Sequence, residues 1–110
     1  MRLSARTALL LIPLLFVVSG CGGRTPSPET SQRVIAKTFK KYGKKYNETD
    51  FGKYAIDRVE VAHTEELQSK LASVETFIYL NEGPVYRVRS TLVKKAFGWR
   101  HRSWENLGKR

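Results

Sequence analysis

The residues with the most chemical reach in this sequence are two histidines, a pair of adjacent glutamates, one cysteine and a row of cations. His63 stands close to Glu65 and Glu66, and His101 lies between Arg100 and Arg102. Neither histidine belongs to a spacing that binds zinc, and Cys21 is the only thiol in the chain. Glu65-Glu66 has the residue types of an acid–base pair, but adjacent carboxylates in a polar segment are ordinarily just solvated. No glycine-rich phosphate loop and no nucleophile elbow is present. These residues point away from an enzyme, and no metal or cofactor is expected. The cations form a clearer pattern. Arg33, Lys37, Lys40 and Lys44 recur at helical spacing, and the segment they span holds no acid. Four like charges on one helix face repel at i,i+4 by a few tenths of a kcal/mol per pair. Such a row is suited to an anionic surface. A second candidate surface combines Phe77 and Tyr79 with Arg87 and Arg89. Aromatic and arginine side chains together are the usual carriers of interface energy.

Local sequence signals define the elements that must position these groups. Ser27-Pro28-Glu29 reads as a helix start: a capping hydroxyl, proline at the first helical position, then an acid at the positive end of the dipole. Val34, Ile35, Thr38, Phe39, Tyr42 and Tyr46 then fall on one arc, opposite the cation row. Gly43 costs the helix about 1 kcal/mol. Asn47 to Asp50 ends the helix. The remainder reads as strands at Ile56–Ala62, Ala72–Leu80, Val85–Lys94 and Trp99–Leu107, with Glu65–Leu71 ambiguous between loop and strand. Short connections make these four strands an antiparallel meander, and the helix beside it makes an α+β fold in two layers. An odd-length loop at Asn81-Glu82-Gly83-Pro84 sets Leu80 opposite Tyr86 and Ile78 opposite Val88. Glu75, Phe77, Tyr79, Arg87 and Arg89 then share the outer face. An even loop would bury Glu75 beside Leu92, at a high desolvation cost.

The chain opens with Arg2 and Arg6, then runs almost entirely apolar from Ala8 to Val18. That is the pattern of a secretory signal peptide, too short for a spanning helix of about 20 residues. Val18-Ser19-Gly20-Cys21 closes it and resembles the lipobox of bacterial lipoproteins. The resemblance implies cleavage before Cys21 and a diacylglycerol on its sulfur. Residues 1–20 are then a leader, 21–27 a lipidated tether, and 28–110 a single α+β domain. Gly22 stands where lipoproteins kept at the inner membrane typically carry Asp. In a two-membrane host this implies the outer membrane, facing the periplasm.

Of 110 residues, 20 are Lys or Arg and 10 are Asp or Glu, a formal net charge of +10. Two of the cations lie in the leader. In a cytosolic protein this balance would suggest nucleic acid. Export argues against that and leaves phospholipid headgroups, wall carboxylates, lipopolysaccharide phosphates and acidic proteins as available anions.

Gly98-Trp99-Arg100-His101-Arg102-Ser103-Trp104-Glu105, closing a helix followed by four strands, resembles the end of the cystatin-like and nuclear-transport-factor-like domains of many small bacterial lipoproteins. The resemblance covers roughly residues 28–107. It implies a curved sheet around one helix, with a cavity or an outer face left for ligands or partners. Larger members carry extra helices that close a pocket, and this chain is too short for them. The expected function is that of a non-catalytic, lipid-anchored envelope module that binds another envelope protein or an anionic component. The alternative is a small ligand-binding or enzymatic domain using the concavity of the sheet.

Overall fold

The computed structural model describes residues 25–110. The expected leader and Cys21 lie outside them. Helix α1 spans Pro28–Lys45, and the Ser27 hydroxyl caps it by accepting from the Thr30 amide at 3.1 Å. A four-residue helix α2, Asp50–Lys53, follows. Four strands complete the chain: β1 Ile56–Gln68, β2 Leu71–Leu80, β3 Val85–Lys95 and β4 Gly98–Lys109. They form one antiparallel sheet in the order β1-β2-β3-β4, with α1 packed on one face. The α+β architecture expected from the sequence is the one observed.

The core lies between helix and sheet. Ile35 and Phe39 of α1 meet Val74 and Ile78 of β2 and Val88 and Leu92 of β3, all fully buried. β2 alternates strictly, with Ala72, Val74, Thr76, Ile78 and Leu80 inward. The β2–β3 register has the expected parity but not the expected partners. Ile78 pairs with Tyr86 and Thr76 with Val88, two residues from the register read in the sequence. The reason is a tighter turn, in which the Gly83 amide donates to the Leu80 carbonyl at 3.1 Å.

Several elements differ from their sequence reading. The buried line of α1 is Ser31, Ile35, Phe39 and Gly43, a strict i,i+4 row. Val34, Thr38 and Tyr42 flank it half-buried, while Tyr46 is exposed. A glycine closes the row because backbone approaches closely there. A Cβ on Gly43 would lie 2.1 Å from the Phe51 carbonyl oxygen. The helix α2 that makes this approach was not expected, and it delivers Phe51 into the core. The ambiguous Glu65–Leu71 stretch is mostly strand, since β1 extends to Gln68. Pro26, read as part of a free tether, is buried. From Cys21 to Pro26 the chain advances five residues, which span at most about 17 Å.

Both edge strands carry bulges. In β1 the register slips at Asp57, Ala62 and Leu67, and in β4 at Arg102 and Leu107. Extra residues on one strand bend it and increase its twist. Here they curl the two edges of the sheet toward α1, which touches both β1 and β4.

Candidate functional site

Arg33, Lys37, Lys40 and Lys44 are all exposed on α1, as the helical spacing requires. Among the described residues no ion pair involves any of them. They do not form a single flat face. Arg33 and Lys40 border a groove of about 460 Å³ toward β1, where Glu29, Asp57 and Arg58 also stand. Arg33 and Lys37 border a second groove of about 520 Å³ toward β4. Lys41, Trp99, Arg100 and His101 also line that second groove, beside Val34 and Thr38, and no carboxylate lines it. Sequence reading missed Lys41 and Arg100 as members of this surface, because they come from a different helix position and a different strand.

The outer sheet face contains Glu75, Phe77, Tyr79, Arg87 and Arg89, as the alternation requires, and its charges are largely paired within the sheet. Arg87 Nε donates to Glu75 Oε2 at 2.5 Å, and Arg89 donates to Glu105 at 3.2 Å. The Tyr79 hydroxyl donates to Glu60 at 2.8 Å and accepts from Arg110 at 2.7 Å. The Arg58 guanidinium stacks 3.8 Å from the Tyr79 ring, and Arg110 lies 4.9 Å from that of Phe77. Arg58, Glu60 and Arg110 thus belong to this face too. The β1–β2 register, which sets Arg58 against Tyr79, is the only signal that could have revealed Arg58. With both aromatic rings covered by guanidinium groups, this face is a self-satisfied lattice of cation–π and ionic contacts.

The two histidines have separate environments. His63 is exposed and 3.8 Å from Glu65. His101, near the start of β4, is half-buried and turns its ring toward α1. Its Nε2 lies 3.0 Å from the Ser90 hydroxyl, and its ring meets Phe39 edge-on at 6.1 Å. Burial holds its pKa below the ordinary 6.5. The bulge at Arg102 explains the inward turn. Strict alternation would send His101 and Trp104 to opposite faces. One extra residue lets both face α1, with Trp104 4.8 Å from Phe39.

At the far end of α1, the Tyr86 hydroxyl donates to Asp50 Oδ2 at 2.5 Å. That hydrogen bond, then burial and the carboxylate charge, push the Tyr86 pKa up to about 12. The pair ties α2 to the sheet. Among the described residues no group of three or more His, Cys, Asp or Glu side chains is placed to hold a metal ion. No described helix is long and apolar enough to cross a membrane.

Compared with models of protein families, with curated proteins and with solved structures, the chain matches none.

Proposed function

We propose that this chain is a non-catalytic, lipid-anchored protein of the cell envelope that acts by binding. Cys21 is the lipidated residue, and the folded part is held against the membrane by the few residues before Pro26. The observation that carries the reading is the lipobox-like Val18-Ser19-Gly20-Cys21 behind a basic and apolar leader. Support comes from the row Arg33, Lys37, Lys40 and Lys44, which begins only twelve residues after that cysteine and finds no carboxylate partner among the described residues. A cation row close to a membrane favours an anionic partner, either phospholipid headgroups or an acidic wall component. A helix on a curled four-stranded sheet is compatible with the cystatin-like resemblance. The face carrying Phe77, Tyr79, Arg87 and Arg89 is a candidate for an envelope protein partner. In a two-membrane host, the mature chain faces the periplasm from the outer membrane.

Metabolic labelling with an alkyne fatty acid, followed by intact-mass analysis of membrane-extracted protein, tests the anchor. The expected result is loss of residues 1–20, added acyl mass, and disappearance of the label in Cys21→Ser. Two acyl chains suffice for stable anchoring where one is marginal. Recovery of an unmodified, soluble mature chain from wild-type cells refutes the reading.

A further inference from the structure

One end of the sheet combines features that neither the cation row nor the outer face explains. The β1–β2 turn at Ser69-Lys70 and the β3–β4 turn at Ala96-Phe97 both lie there, because alternate hairpins of a meander turn at the same end. They are tied together by the Lys94 amide, which donates to the Lys70 carbonyl at 2.9 Å. Phe97, at the tip of the second turn, is 92% exposed, and Leu67, at a bulge beside the first, is 49% exposed. They are two of the three large hydrophobic residues exposed among those described. The stretch Lys94-Lys95-Ala96-Phe97-Gly98-Trp99-Arg100-His101-Arg102 carries four permanent cations and no acid. An exposed aromatic ringed by cations, next to an indole, is the composition of a segment that enters a headgroup layer.

Trp99 and Arg100 lie across a groove from Arg33, Val34 and Lys37, whereas Trp104 meets Phe39 and Tyr42. Helix α1 therefore runs alongside β4 in the same direction. Of its early residues, Arg33 and Lys37 border β4, while Glu29 and Gln32 border the β1 groove with Ile56 and Val59.

We infer that this end of the sheet docks on an anionic phospholipid bilayer, with Phe97 in the headgroup layer and Lys94, Lys95, Arg100 and Arg102 against lipid phosphates. Arg33 and Lys37 adjoin this surface through the β4 groove. Lys44 does not: it is eleven helical residues beyond Arg33, about 16 Å at 1.5 Å per residue, outside a Debye length of about 8–10 Å. The domain thus stands on its hairpin tips instead of lying on its helix, which leaves the distal cations and the outer sheet face open to other partners. The inference deepens the proposed function by naming the anionic surface, and rests on it for the anchor at Cys21.

Protein extracted from its own membranes is reconstituted into phosphatidylcholine vesicles with and without phosphatidylglycerol, both containing brominated lipid. Tryptophan emission is followed, and amide hydrogen exchange provides a second measurement that needs no substitution. The expected result is quenching and protection of residues 94–102 that increase with phosphatidylglycerol and fall as salt rises. Phe97→Ser and Lys94→Gln/Lys95→Gln should each bring the signal close to the level without phosphatidylglycerol. For an unanchored chain, each removed charge corresponds to about fivefold in partitioning. Lys40→Gln/Lys44→Gln should leave the signal intact.

Equal quenching with and without phosphatidylglycerol overturns the inference. So does indifference to the Phe97 and Lys94/Lys95 substitutions, or a larger effect of Lys40→Gln/Lys44→Gln, which would place the helix face on the membrane. Concentration-dependent self-association abolished by Phe97→Ser, with vesicle signals unchanged, assigns the tip to a second copy of the chain and also overturns it. The mass spectrum of Cys21 reads the anchor separately. An unmodified cysteine with tip-dependent quenching sinks only the anchor, and a lipidated cysteine with tip-independent quenching sinks only the docking surface.

Discussion

Replacing Gly43 by alanine tests the packing logic of this fold, because sequence and structure assign it opposite signs. In an exposed helix interior, Gly→Ala stabilises by about 0.8–1.0 kcal/mol. Here a Cβ on Gly43 would stand 2.1 Å from the Phe51 carbonyl oxygen and 2.8 Å from its carbon, where ordinary contact begins at 3.4 Å. Helix α2 would have to recede by about 1.3 Å, the difference between 3.4 and 2.1 Å. It cannot do so freely. Phe51 stacks against Phe39 at 4.8 Å and Tyr86 at 5.1 Å, and Asp50 accepts from Tyr86. Overpacking costs about 1–3 kcal/mol, and weakening the Tyr86–Asp50 hydrogen bond adds about 1 kcal/mol. After subtracting the propensity gain, Gly43→Ala should destabilise by about 1–3 kcal/mol. In a domain of this size that lowers the Tm by roughly 5–20 °C. Urea and thermal unfolding followed by tryptophan fluorescence measure it directly. Gly52→Ala should behave in the same way, since its Cβ would meet the Asn47 Cα at 2.4 Å and the Gly43 carbonyl oxygen at 2.7 Å. A Gly43→Ala protein as stable as wild type, or more so, would refute the close approach of α1 and α2.

Two further outcomes follow from the core. Phe39 is fully buried and touches the rings of Tyr42, Phe51, His101 and Trp104, so Phe39→Ala should cost about 3–5 kcal/mol and melt much of the chain at growth temperature. A melting temperature within a degree or two of wild type would show that α1 presents another face. His101 gives a pH signature. Its folded pKa lies below the ordinary 6.5, so the unfolded chain binds the proton first as pH falls. Its contribution is complete above about pH 6.5 and is lost progressively below it, toward the folded pKa. Thermal melts between pH 7.5 and 5.5 should therefore fall with pH, and His101→Gln should flatten that slope; an unchanged slope would assign it to other groups.

Much of this architecture is written in local sequence. Ser27-Pro28-Glu29 starts α1 because a capping hydroxyl, a fixed φ and a favourable charge all act within one turn. The alternation in β2 fixes which of its residues face inward, since every second side chain points the same way. That parity also placed Phe77, Tyr79, Arg87 and Arg89 together on the outer face, and helical spacing placed Arg33, Lys37, Lys40 and Lys44 in solvent. These are properties of neighbours along the chain, and short-range geometry decides them.

Other features depended on contacts between distant segments. The bulge at Arg102 turns His101 and Trp104 to the same side, and nothing in the alternation of Trp99 to Leu107 announces it; the curvature needed to wrap α1 does. Helix α2 is four residues long, too short for a periodic signal, and exists where Gly43 admits the backbone of Phe51. The pairing of Arg58 and Arg110 with the rings of Tyr79 and Phe77 follows from strand register at the sheet edge. The hydrogen bond that sets the Phe97 turn beside the Lys70 turn comes from the order of the strands. Local sequence thus determined the long helix, the four strands and the inward face of β2. Only the tertiary structure decided which exposed residues meet, because that depends on where the backbone bends and how closely two segments approach.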